Sequence, residues 1–102
     1  MKNGIIKLDS KRGESLGFTS RDYDGYLWKQ GNTIIISFIA SRYKGGFRRL
    51  VEHIHALGYA VQVPTPLGRM QDIVTRNGYV HTQEHNKEMG GMVDLWTLAP
   101  PH

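Results

Sequence analysis

The chain has no cysteine among its 102 residues. That excludes a disulfide framework, cysteine-ligated zinc, a thiol nucleophile and a redox dithiol. It has only 4 prolines, and its 39% hydrophobic and 10% aromatic content is that of a folded domain rather than a disordered tail. No apolar run approaches the ~18 residues that a membrane-spanning helix needs. The start, Met1-Lys2-Asn3-Gly4-Ile5-Ile6-Lys7, lacks the long apolar stretch of a secretory signal, so the expectation is an intracellular, cytoplasmic protein. No internal repeat or low-complexity linker divides the chain, and residues 1–102 read as a single domain. The formal charge is +4, from 13 basic and 9 acidic residues. This modest excess suits nucleotides, nucleic acid or an acidic protein surface without choosing among them.

Secondary structure follows from periodicity and turn residues. Over the opening forty residues Gly4, Gly13, Gly17, Gly25 and Gly31 punctuate short runs with no helical period, which predicts loops and short strands; Ile5-Ile6-Lys7-Leu8 and Leu16-Gly17-Phe18-Thr19 are weak strand candidates. Tyr26 to Lys29, a turn at Gln30-Gly31-Asn32, and the β-branched run Thr33 to Ala40 predict a hairpin. The near-continuous apolar character of that second strand predicts burial on both faces and a central place in the sheet. Phe47, Leu50, Val51, Ile54 and Leu57 fall at helical spacing, with Gly58 placed to end the helix. Tyr59 to Pro64 then reads as a strand parallel or splayed to the first. Thr65 reads as an N-cap with Pro66 at the first helical position, and Leu67, Met70, Ile73 and Val74 form the stripe of a short helix ending at Asn77-Gly78. Tyr79–Gln83 and Met92–Leu98 predict a terminal strand pair around a polar connection from Glu84 to Gly91. The order is β-β-loop-α-β-α-β-β. The expected fold is α/β or α+β, with two helices covering a mixed, mainly antiparallel sheet.

The chemistry concentrates between the second strand of the hairpin and the first helix, in Ser41-Arg42-Tyr43-Lys44-Gly45-Gly46-Phe47-Arg48-Arg49. A helix N-terminus presents free N–H groups and the positive end of its dipole, and adjacent glycines let the backbone approach a phosphate. Arg48 and Arg49 oppose that dipole unless an anion sits beside them. The stretch is therefore a candidate phosphate cradle, and its plainer reading is a solvated basic turn.

These residues resemble the GNAT superfamily of N-acetyltransferases, whose cofactor half runs strand, Arg/Gln-x-x-Gly loop, helix, strand, helix ending in glycine-aromatic, strand. Arg42-Tyr43-Lys44-Gly45-Gly46 matches the loop, Arg76-Asn77-Gly78-Tyr79 resembles the glycine-aromatic signature, and the likeness covers residues 26 to 98. The string Val63-Pro64-Thr65-Pro66-Leu67-Gly68-Arg69-Met70 is similar to that of small phage-encoded members, which implies action in a host cytoplasm. The resemblance implies acetyl coenzyme A as cofactor and transfer of its acetyl group to an amine of a small molecule or protein. Its pantetheine arm would lie between splayed strands Thr33–Ala40 and Tyr59–Pro64, with Phe38, Ile39 and Ala40 supplying strand-edge backbone. Arg42, Tyr43, Lys44, Gly45, Gly46, Phe47 and Arg48 would take the diphosphate, and Pro64 and Pro66 would shape the strand end beside the thioester.

Three departures qualify that expectation. Phe47 stands where the family usually has glycine or alanine, and its ring is expected to weaken cofactor binding. Val74 occupies the position, four residues before Gly78, where many members carry the tyrosine that protonates the leaving thiolate. The family's N-terminal helices, which wall the acceptor site, have little room before Tyr26, so acceptor recognition is either missing or borrowed from a second subunit in a homodimer. A catalytically silent interaction protein directed at a host or virion protein is the alternative. A small nucleic-acid binder is the weaker third reading.

Other residues carry less. Transfer needs a base for the amine, and the strand Thr33–Ala40 has no carboxylate. Glu52, Glu84, Asp94, His81 and Tyr43 remain as candidates on solvated faces, and none is singled out. His53 and His55 are two apart on a helix and diverge, while His81 and His85 flank a strand end, so surface histidines explain them better than a metal site. Trp28, Trp96, Tyr23, Tyr26 and Tyr79 read as core or cross-strand aromatics rather than a base-stacking platform. Asp22 and Asp24, within Arg21-Asp22-Tyr23-Asp24-Gly25, are candidates for holding an amine, with an Asx-type turn as the plainer account.

Overall fold

The computed structural model describes residues 3–86 and 90–101. Its elements run β1 (Gly4–Lys7), α1 (Lys11–Ser15), β2 (Tyr23–Gln30), β3 (Thr33–Ser41), α2 (Gly46–Ala56), β4 (Ala60–Pro64), α3 (Arg69–Arg76), β5 (Val80–Asn86) and β6 (Gly91–Leu98). The strands form one sheet in the order β1-β2-β3-β4-β6-β5, antiparallel throughout except for the parallel β3–β4 pair. The fold is thus α+β with a mixed, mostly antiparallel sheet. Among the described residues, no helix is long and apolar enough to cross a membrane.

All three helices are tied to one face of that sheet. Ile6, Leu27, Ile34, Ile36, Val61 and Val63 alternate inward along their strands and join Leu50, Val51 and Ile54 of α2 and Val74 of α3 in one buried cluster. Leu16 and Phe18, which follow α1, complete it, and both are fully enclosed. Strand residues of the opposite parity point away from the helices, and several of the large apolar ones are in water. Lys29 is the exception among the charged residues, buried on the helix side with its ammonium 5.6 Å from the Tyr59 ring centroid and 3.5 Å from Asn3 Oδ1.

The structure departs from the sequence expectations in five places. A third helix, α1, stands where no helical period is visible: it is a single turn, fixed by the Ser10 hydroxyl accepting the Gly13 N–H at 3.0 Å. Leu16–Thr19 is not a strand; the segment turns so that Leu16 and Phe18 plug the core. β3 is central but not buried on both faces, because no layer covers the far side and Phe38 is exposed. Thr65 does not cap α3: its N–H bonds the Asp94 carbonyl at 2.8 Å, pinning the end of β4 to β6, and the cap position falls to Gly68. The connection after β5 begins later than expected, since β5 continues to Asn86; residues 87–89 of that expected loop lie outside the described residues.

Candidate functional site

The loop from β3 into α2 is built around Ser41. Its hydroxyl accepts the Tyr43 N–H at 3.3 Å and donates to the Tyr43 carbonyl at 2.6 Å, folding the chain back on itself. Gly45 then takes φ +84° as the helix cap, a conformation that favours glycine, and no side chain caps α2. A Cβ at Gly46 would collide with the Ser41 hydroxyl, so the helix starts against the loop at a distance that a glycine permits. The buried Tyr23 hydroxyl donates to the Gly46 carbonyl and ties this corner to the sheet; burial, then the neighbouring Tyr43 hydroxyl, push its pKa upward. The amides of Lys44, Gly45, Phe47 and Arg48 donate to no described residue. They form the positive end of an uncapped helix.

Below that helix start the β3–β4 ladder stops. Parallel pairing holds at Thr33–Ala60, Ile34–Val61 and Ile35–Gln62, and beyond it the strands part. An extra residue enters β3 at the same level: Ile36 and Ser37 together face Leu27, between the Tyr26–Phe38 and Trp28–Ile35 pairs. Such a bulge bends the strand and re-aims its backbone groups.

Between α2 and α3 lies a cleft of about 1120 Å³, lined at one end by the loop and running along α2 as far as His55. Its walls are largely apolar, with Phe47, Val51, Met70, Ile73 and Leu98 among them. Its charged residues are Arg42, Lys44, Arg48 and Arg69 against Glu52 and Asp72, an excess of cations. Arg48 Nε lies 3.4 Å from Glu52 Oε1 on the exposed rim. Tyr79 is buried in the floor; its hydroxyl bonds no described residue yet is not sealed from solvent, so it opens into the cleft it lines. Burial pushes that phenol up to about 12.

Of the residues expected to hold a cofactor, Ile39, Ala40, Arg42, Tyr43, Lys44, Gly45, Gly46, Phe47 and Arg48 line this one cleft. Phe38 does not. Its ring stands on the open sheet face, 6.5 Å centroid to centroid from Tyr26, leaving its backbone alone at the parted edge. Arg42 is also an anchor: its N–H bonds the Asp22 carbonyl at 2.8 Å and its Nε bonds the Ser20 carbonyl at 3.0 Å. Ser20 in turn donates to Asp9, whose pKa these bonds lower. Asp22 lies beside Arg21, at 3.6 Å, and Asp24 accepts the N–H of Gly25 at 3.0 Å, a bond to the next residue within β2 rather than the two-residue reach of an Asx turn.

The residues weighed as acids or bases are scattered. His81 and Asp94 face each other across β5–β6, Nε2 to Oδ1 2.9 Å, with the His81 ring stacked on Trp96 at 4.6 Å. Gln83 donates to the same Asp94 oxygen at 2.9 Å, and those two bonds hold the carboxyl below its ordinary value. Glu84 and His85 line a separate hollow of about 240 Å³ with Gln62 and Pro64. Among the described residues no three His, Asp or Glu side chains gather as a metal site. Tyr79 and His55 were missed as lining residues; the signal for both was present, since Tyr79 follows Gly78 at the end of α3 and His55 shares the polar face of α2 with Glu52.

No protein-family model matches the chain, and no curated protein or solved structure is similar to it.

Proposed function

We propose that the chain is a GNAT-like protein that binds acetyl coenzyme A in this cleft and transfers the acetyl group to an amine of a small molecule or protein. The observation that carries the reading is the parting of β3 and β4 under the uncapped N-terminus of α2. A diphosphate satisfies the free amides of Lys44, Gly45, Phe47 and Arg48 and meets the cationic rim. A pantetheine arm, with two amides within its chain, takes the place of a strand where β3 has lost its neighbour. The bulge at Ile36–Ser37 supplies backbone donors at the parting, where a thioester carbonyl needs polarising. Phe47 is one of the apolar residues that line the cleft.

A catalytically silent interaction protein is the second reading, favoured by one observation. The carboxylates that line the cleft, Glu52 and Asp72, sit on the helices above the strand parting, and Glu52 is already paired with Arg48. Titrating acetyl coenzyme A into wild type and a Lys44→Glu variant tests cofactor binding. Lys44 is exposed and bonds nothing described, so the fold survives the change while affinity falls about tenfold, the effect of roughly 1.4 kcal/mol at an anion site. Equal affinity in both proteins defeats the cradle. Release of free coenzyme A in the presence of amines separates the enzyme from its silent alternative.

A further inference from the structure

The hollow bordered by Glu84 lies on the face of the sheet that the helices leave open. Ile35 alternates with buried Ile34 and Ile36 along β3, and Gln62 and Pro64 with buried Val61 and Val63 along β4, so all three point away from the helices. The register carries that face outward to the sheet edge: Pro64 is opposite Leu95, Leu95 is opposite Thr82, and Glu84 follows two residues on, opposite Val93. The hollow measures about 240 Å³. That is below the roughly 300–1,000 Å³ of sites for drug-sized ligands, so its occupant is small.

The β3–β4 ladder sets its place. Ile35–Gln62 is the last pair before the strands part, and both residues stand in its wall, as does Pro64 beyond them. On the helix face, Ile39 and Ser41 of β3 line the cleft past the same parting. The two cavities thus border one break in the ladder from opposite faces of the sheet. Their charges differ as well. The cleft carries an excess of cations, whereas among the described residues no lysine or arginine lines the hollow, and its ionisable walls are Glu84 and His85. The Glu84 carboxylate is exposed and forms no ion pair with any described residue.

An alkylammonium suits these walls. Its charge meets Glu84. Gln62 gives an amide N–H to Thr97 Oγ1 at 3.2 Å, which leaves its amide oxygen as a second acceptor. Ile35, Pro64, Val93 and Leu95 supply apolar surface for the methylenes. We propose that the hollow binds an aliphatic primary amine, its ammonium on Glu84 and its chain against Pro64 and Leu95. Resting on the acetyl-transfer reading, it is also where the acceptor enters, on the far side of the sheet from the diphosphate.

A nitrogen–proton correlation spectrum of the full chain titrated with butylamine tests the site without any cofactor, with butanol as the control for the apolar chain. The expected result is saturable shifts at the amides of Gln62, Glu84 and Val93 with the amine and none with the alcohol. Glu84→Gln weakens binding about fivefold, the effect of an ion pair open to solvent, and Glu84→Lys abolishes it. Both variants change an exposed position and keep the fold. Binding of Nα-acetyl-lysine amide as tight as that of butylamine assigns the hollow to a lysine side chain of a protein; its exclusion assigns the hollow to a free amine. No shift at these residues, or equal binding by wild type and Glu84→Gln, overturns the amine site. With acetyl coenzyme A present, Glu84→Gln raises the KM for the amine and leaves cofactor affinity unchanged. A cofactor that does not bind defeats the transfer reading while the amine shifts remain. A cofactor that binds, with amine turnover indifferent to Glu84→Gln, defeats the acceptor assignment alone.

Discussion

Two buried tyrosines sit at the site with opposite bonding states. Tyr23 gives its proton to the Gly46 carbonyl and holds the start of α2, whereas Tyr79 offers its proton to the cleft alone. Tyr23→Phe therefore removes a buried hydrogen bond and lowers stability by about 1–1.5 kcal/mol. Tyr79→Phe leaves stability within about 0.5 kcal/mol of wild type, since it orphans no described group. Alkali reads the same contrast. Both phenols ionise later in the folded protein than at the ordinary value of 10.0, so the stability they contribute is complete below that pH. It drains as pH rises, over the window that for Tyr79 extends to about 12. Denaturant unfolding followed across this range is expected to lose stability more gently in Tyr79→Phe than in wild type. An identical alkaline slope in the two proteins contradicts the burial of the Tyr79 side chain.

Among the elements, the β5–β6 pair carries its own pH sensor. Asp94 accepts from Gln83 and faces His81 across the strands, and those partners hold its carboxyl below the ordinary 3.8. Its contribution is present above that pH and is lost as acid brings it through the lowered folded value. Amide exchange in β5 and β6 should quicken on that acid limb, and Asp94→Asn should remove the acid dependence; exchange that is flat with pH in wild type contradicts the pairing. The main strands and α2 were legible because their signals are strong and local: the β-branched run of β3, the Leu50–Ile54 spacing of α2 with Gly58 behind it, the Gln30-Gly31-Asn32 turn. The residues from Ile39 to Arg48 that line one end of the cleft were legible for the same reason, being contiguous in sequence. α1 was not, because a single turn rests on one Ser10 cap and on Leu16 and Phe18 finding the core, neither of which leaves a period. Thr65 misled because its N-cap pattern is genuine, but a backbone bond to Asp94, distant in sequence, claims it first. The exposure of Phe38 was hidden for a related reason: an apolar run shows that a strand can be buried on both faces, not that a second layer exists to do it.

At the scale of the whole molecule, one layer of helices over one sheet creates two surfaces of different character. The helix side holds the cleft, where α2 and α3 stand apart and backbone amides meet a cationic rim. The other side is an uncovered sheet with an aromatic stripe. The account assigns a ligand to the first. The most direct test of the central claim is a nitrogen–proton correlation spectrum of the protein titrated with acetyl coenzyme A, with adenosine diphosphate as the control for simple anion affinity. The account predicts saturable shifts at the amides of Lys44, Gly45, Phe47 and Arg48 with both ligands, extending to Ile36–Ala40 of β3 with the thioester alone. An unchanged spectrum, or shifts confined to the open face around Trp28, would contradict it.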